Sequence, residues 1–442
     1  MENQFKSSCL CIILLCLLLA CTGNSDPDPE PTQPKTHIGN LVLRTPADLI
    51  QFEEDHITEV TGNLFIGEGT TGIESLITDL RPLSWLVRVE GSLEITSTRI
   101  LSLEGLDNLE FAQELILNTN EQLENLNHLN MLQTNNLILT SNGRVNSLEG
   151  LDVMGSSLEM IEIIGCSALK SLKGLSTLQS VEWLTIRDNH QLETLEGLDN
   201  LLTVGRIELT RNHDLKDLKA LSALTTVSRD LIIKDNESLS DLMGLENVND
   251  INLLSIEDNR FLENLNALSG LNQVLIIGIQ DNPALLSLDG LDNIDSPIVI
   301  RIEGNSSLLD ISALGTLSSL DALVVGDNSS LASLNGLNNL ESVEVLVIDQ
   351  LDALTDLSGL EKLEEVKRFY IRENPVLTDL SALSGLRKSG HVFEIKDNLI
   401  LKDFCSLNTL VNSDDFGGDF VIENNAYNPN LEEMRMGNCK ED

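Results

Sequence analysis

The chain has 442 residues, and 28 Lys and Arg against 70 Asp and Glu leave a formal net charge of −42. That charge excludes a surface built for nucleic acid or anionic lipid, both of which need a cationic field. Hydrophobic residues make up 41%, too many for a disordered acidic chain, and aromatics only 3%, so the core is aliphatic and long stacking platforms are excluded.

Residues 1–21 read as an address, not as fold. Lys6 precedes an apolar run from Cys9 to Leu19 that is too short to span a bilayer. The run ends in Leu18-Leu19-Ala20-Cys21, which resembles the lipobox of bacterial lipoproteins. The resemblance implies cleavage before Cys21 and lipidation of that cysteine, so the membrane is a partner through an N-terminal lipid. Thr22 in place of Asp implies the outer membrane or cell surface. The plain alternative is an ordinary secretory signal cleaved nearby. Residues 22–36, with Asp26-Pro27-Asp28-Pro29-Glu30-Pro31, read as an acidic Pro-rich tether holding the body about 45 Å from its anchor.

Cys9, Cys11 and Cys16 leave with the signal, so Cys166, Cys405 and Cys439 remain in the folded body. Cys405 and Cys439 bracket the C-terminal segment and are expected to form a disulfide.

The rest of the chain repeats. Leu172-Lys173-Gly174-Leu175, Leu195-Glu196-Gly197-Leu198 and Leu242-Met243-Gly244-Leu245 are copies of one box. Its third position falls at 82, 105, 128, 150, 174, 197, 220, 244, 267, 290, 313, 336, 359, 382 and 406, at intervals of 22, 23 or 24 residues. Such a period marks a solenoid. A second box, apolar-x-apolar-x-x-Asn, recurs as Leu184-Thr185-Ile186-Arg187-Asp188-Asn189 and Leu231-Ile232-Ile233-Lys234-Asp235-Asn236. Its alternation predicts a short strand with the first and third residues inward. Successive copies then pair in parallel.

The Asn column comprises Asn189, Asn212, Asn236, Asn259, Asn282, Asn305, Asn328, Asn374 and Asn398, with Asn120, Asn142 and Asn425 extending it. An inward amide supplies a donor and an acceptor where the backbone leaves the sheet, so stacked copies should form a ladder. Thr98 and Cys166 occupy the column in their own turns, which makes Cys166 a buried thiol; Leu351 and Gly69 are outliers. The sequons at Asn236, Asn305 and Asn328 are therefore structural. At the third position of the first box, Gly alternates with Ala220, Ala267, Ala313 and Ala382, and with Pro82, His128 and Ser406. That mixture predicts a need for small size, not for a positive φ.

Together these features resemble leucine-rich repeats of the receptor L-domain-like kind, best matched from Ser171 to Asn189 and from Ser333 to Ile348. The resemblance implies an α/β class, right-handed leucine-rich-repeat solenoid over residues 63–403, with a parallel strand ladder, about 23 residues per turn and little helix. It implies caps at residues 37–62 and 404–442, the first with a short helix around Ala47 to Phe52. Growth-factor receptor ectodomains and fungal wall proteins share the fold, so adhesion and protein binding are implied only as a range.

Three candidate sites follow. His190, His213 and Glu237 each succeed a ladder Asn, so they stack and offer a Zn²⁺ ligand set; the plain reading is three solvated turn residues. Asp188, Asp235, Asp258, Asp281, Asp327 and Asp397 precede ladder Asn residues; they are a starting point for Ca²⁺, but Asp is equally a turn former. Third, the outward residues of the strands include Trp183, Arg187 and Arg206, and later Arg368, Tyr370, Arg372 and Lys396. With Lys367 and Lys388 the later group is expected to form a positive island for an acidic peptide or glycan. No phosphate loop, nucleophile elbow or Cys-x-x-Cys pair is present. The expected function is non-enzymatic: an envelope lipoprotein binding a protein, peptide or glycan through its strand face, without a cofactor and without nucleic acid. The alternatives are a passive cell-contact structure and, more remotely, a metal-assisted hydrolase using His190 and His213.

Overall fold

A computed structural model describes residues 35–68, 75–151 and 155–441. The signal, Cys21 and nearly all of the tether fall in residues 1–34, outside the described residues, and Gly69 falls outside them as well. The body, residues 35–442, is a parallel β-solenoid of about 17 turns, with roughly 23 residues per turn and little helix.

The strand of each turn comes from apolar alternation. In Ser180–Arg187, Leu184 and Ile186 are fully buried while Trp183, Thr185 and Arg187 face outward. The next turn repeats this in register: Leu184 lies beside Ile207, and Ile186 beside Leu209. One aliphatic core runs unbroken from Leu43 to Cys439. No helix among the described residues is long and apolar enough to cross a membrane.

The Asn column forms the ladder. Asn236 donates its side-chain amide to the Leu209 carbonyl at 2.9 Å, and its backbone N–H reaches the Asn259 Oδ1 at 3.2 Å. Asn259 repeats both bonds, to Ile233 at 2.9 Å and Asn282 at 3.0 Å. Thr98 joins through its hydroxyl to Asn120 at 2.6 Å. Cys166 joins through its backbone N–H to Asn189 at 2.9 Å, and burial pushes its thiol up to about 12. Asn428 ends the file by accepting from the Asn425 N–H at 2.8 Å. Leu351 supplies no acceptor to the turn before it. The three sequon asparagines are fully buried in this file.

The Gly column departs from expectation. Gly197 has a φ of +114, and a Cβ placed there would sit 2.1 Å from the Leu172 carbonyl oxygen, so both a left-handed backbone and close approach are required. The Ala turns meet the same corner differently: Lys219–Leu221 and Asn266–Leu268 are 3-10 helices that Ala enters without strain. Pro82 and Ser406 also sit in 3-10 turns, whereas His128 keeps a positive φ of 79. The box therefore encodes two turn types, and the expectation of small size alone is corrected.

Both ends differ in detail from simple caps. The helix Pro46–Glu54 carries a Thr45/Asp48 capping box and buries Leu49 and Phe52. Around it, however, strands Lys35–His37 and Leu41–Leu43 already pair in parallel with Ile57–Val60 and Leu64–Gly67, so the sheet runs through the segment expected to cap it. At the other end Asp419–Glu423 is the last strand, followed by the helix Leu431–Arg435. A disulfide joins Cys405 to Cys439, with Cα atoms 4.9 Å apart.

Candidate functional site

The outward strand residues form three columns because parallel register repeats at every turn. The first runs Met160, Trp183, Arg206, Asp230, Leu253, Ile276, Val299, Ala322, Val345, Arg368, Val392. Its middle is apolar over five consecutive turns, Leu253 to Val345. Ile276 is 43% exposed there, and Leu275 and Ile298 beside it are 44% and 42% exposed. Val347 adds to the stripe in the second column, where its neighbour Val324 is buried. This stripe was not expected, yet it had a sequence signal. In Val274-Leu275-Ile276-Ile277 and Val345-Leu346-Val347-Ile348 the alternation gives way to continuous apolar runs.

Between Glu257 and Asp349 the third column and the turn after it are acidic. Glu257 pairs with Lys234 at 2.7 Å and Glu303 with Arg301 at 2.8 Å. Asp281, Asp327 and Asp349 make no ion pair among the described residues. Burial first, and then Asp258 and Asp327, hold the Asp281 carboxyl above the usual range. Burial and Glu373 do the same for Asp349, whose buried Oδ1 has no hydrogen-bond partner. The turn aspartates Asp188, Asp235, Asp258, Asp281, Asp327 and Asp397 all have φ between 50° and 60°. Asp tolerates this left-handed conformation, which accounts for the column without a cation.

The cations expected as a positive island are largely compensated by the adjacent turn. Lys388 meets Glu365 at 2.6 Å, Arg372 meets Glu394 at 2.5 Å, and Lys396 meets Glu423 at 3.7 Å; Lys367 pairs with Glu344. Arg372 also lies 4.4 Å over the Tyr370 ring. Arg368 alone is exposed without an ion pair, at the end of the apolar stripe. At the other end, Arg206 bridges Asp230 and Glu208, each at 3.1 Å, and Arg187 lies 3.4 Å from Asp188. Trp183 is 38% exposed and covered by Arg229 at 4.7 Å, an arginine not anticipated as part of the face. The strand Thr226–Lys234 holds one extra residue at a bulge, visible beforehand as the 24-residue interval from 220 to 244. An open groove of about 520 Å³ is lined by Ser157, Ser180, Thr203, Thr226 and Glu182, the residue before Trp183.

The His190 and His213 rings stack with centroids 4.7 Å apart. Donor atoms of His213, Asp235 and Glu237 lie within 4.8 Å of one another; His190, expected with His213 and Glu237, is not in that group, and Asp235, not expected there, is.

No family model matches the chain, and no curated protein matches it. Among solved structures, a leucine-rich repeat protein from Bacteroides ovatus is 16% identical, with 87% of this chain and 92% of that one covered and a TM-score of 0.22. So low a superposition score leaves the fold resting on this chain's own strand register.

Proposed function

We infer that the chain is a ligand-binding leucine-rich-repeat protein, lipid-anchored through Cys21 at a bacterial envelope surface, which presents its strand face to a polypeptide partner. The observation that carries this is the uncovered stripe Leu253, Ile276, Val299, Ala322 and Val345 beside the unpaired carboxylates Asp281, Asp327 and Asp349. A segment alternating apolar and basic side chains complements both. A ladder tied by buried amides is preorganised, so little conformational entropy is lost on association. Covering Ile276, the most exposed of the five, contributes roughly 1 kcal/mol, and the four partly buried neighbours contribute less each.

The test is fluorescence anisotropy with a labelled alternating Leu/Lys peptide at physiological salt. Ile276→Ser/Val299→Ser should weaken binding about tenfold, whereas Leu309→Ser, at an exposed position outside the strands, should not. Equal affinities for the two variants contradict the reading. A second reading, a glycan ligand, is favoured by the groove lined by the hydroxyls of Ser157, Ser180, Thr203 and Thr226. It predicts saturable oligosaccharide binding that Ser180→Ala/Thr203→Ala weakens.

A further inference from the structure

Three potential metal ligands, His213, Asp235 and Glu237, converge on two consecutive turns, away from the apolar stripe, and His190 stacks on them from the turn before. His190 and His213 each follow a ladder asparagine, and Glu237 follows the next, so the solenoid stacks them in a file. Asp235 precedes Asn236 with a φ of 54°, and this left-handed turn brings its carboxylate to the same side. Donor atoms of His213, Asp235 and Glu237 lie within 4.8 Å of one another, and the His190 ring stacks on His213 at 4.7 Å. None of the four side chains is committed elsewhere: no hydrogen bond or ion pair among the described residues uses either imidazole, Asp235 or Glu237. The neighbouring cation, Arg211, makes both its bonds to Asp188, at 2.5 and 2.9 Å, and leaves Asp235 unpaired.

We propose that His213, Asp235 and Glu237 form a three-ligand Zn²⁺ site that ties two turns together, with His190 packed against the His213 ring as a positioning residue. Imidazole nitrogen and carboxylate oxygen suit Zn²⁺, whereas Ca²⁺ takes oxygen ligands. Tetrahedral coordination at about 2.0–2.2 Å places donors roughly 3.3–3.6 Å apart. The observed spread of up to 4.8 Å is wider than this, so binding requires the side chains to rotate inward. The site is independent of the strand-face reading, since none of the four residues belongs to the apolar stripe.

The experiment is calorimetric titration of the untagged, chelator-treated chain with ZnCl₂ and, separately, CaCl₂. One Zn²⁺ per chain should bind with micromolar affinity, raise the melting temperature, and not be displaced by millimolar Ca²⁺. His213→Ala, and Asp235→Asn/Glu237→Gln, should each weaken Zn²⁺ at least tenfold, and His190→Ala should weaken it less. Circular dichroism of the metal-free variants should match the parent, because these side chains lie outside the core. Absence of a saturable site, a Zn²⁺ affinity unchanged in His213→Ala, or displacement by Ca²⁺ overturns the proposal.

Discussion

Replacing Asn259 by Ala tests the amide ladder where it is most regular. Its Oδ1 accepts from the Asn236 N–H at 3.2 Å, and its Nδ2 donates to the carbonyls of Ile233 and Glu257, both at 2.9 Å. The Glu257 carbonyl keeps a second donor, the Asp235 N–H at 2.9 Å, so its loss is partial. The Asn236 N–H and the Ile233 carbonyl lose their side-chain partner inside a fully buried file. An unsatisfied buried polar group costs about 1–3 kcal/mol, so the pair predicts a loss near 3–4 kcal/mol. Unfolding entropy of about 2.1 cal/mol/K per residue over roughly 400 residues converts this to a fall of about 4–5 °C in a cooperative melt. Scanning calorimetry reads it directly. Asn249→Ala, at an exposed asparagine, should stay within about 0.5 kcal/mol. Equal melting of the two variants would refute the ladder as a source of stability.

Gly197→Ala should destabilise by more than about 2 kcal/mol, because the corner needs a positive φ and the new Cβ meets the Leu172 carbonyl; Ala220→Gly, in a 3-10 turn, should cost about 0.5–1 kcal/mol. Both are read by urea denaturation. Cys405→Ser/Cys439→Ser opens a loop of sequence separation 34, and the chain-entropy model places the loss near ~3–4 kcal/mol in the same assay. Asp349→Asn should raise the melting temperature at neutral pH. The Asp349 carboxyl titrates above its unfolded value of 3.8, so its charged form opposes folding above the folded pKa and the gain fades as pH falls through 3.8. Cys166 should resist thiol reagents until the chain unfolds, since it is buried with its thiol pushed up to about 12.

The coil was legible because its period is strict and its inward side chains are aliphatic. Leu184, Ile186 and Asn189 each announce their place by spacing alone. The corner at the first box was harder, because one position carries two backbone solutions. A further signal lay two residues downstream: Asp199 accepts from the Gly197 N–H at 2.8 Å, whereas Ser222 stands at that point after Ala220. The charge pattern was misjudged for a different reason. Lys367 is counted among cations nearby in the chain, but its true neighbour is Glu344, 23 residues back. A period that stacks the turns also sets many bases against acids of the neighbouring turns, before or after, so a local sum of charge overstates the field. Arg368, with no such partner, is what remains of the expected island. The donor cluster proposed for zinc was legible in part: His213 and Glu237 follow from the period, while Asp235 joins them through a left-handed turn that spacing does not display.

Cross-linking across neighbouring turns tests the parallel coil itself. Thr185 and Glu208 are partners in register, and Ile232 lies one turn beyond Glu208. Adjacent strands are about 4.8 Å apart and alternate ones about 9.6 Å, against a disulfide limit near 7 Å. Oxidation of Thr185→Cys/Glu208→Cys, followed by peptide mass mapping, should give a quantitative intramolecular disulfide, and Thr185→Cys/Ile232→Cys should give none. Ready closure of the second pair with failure of the first would contradict the account.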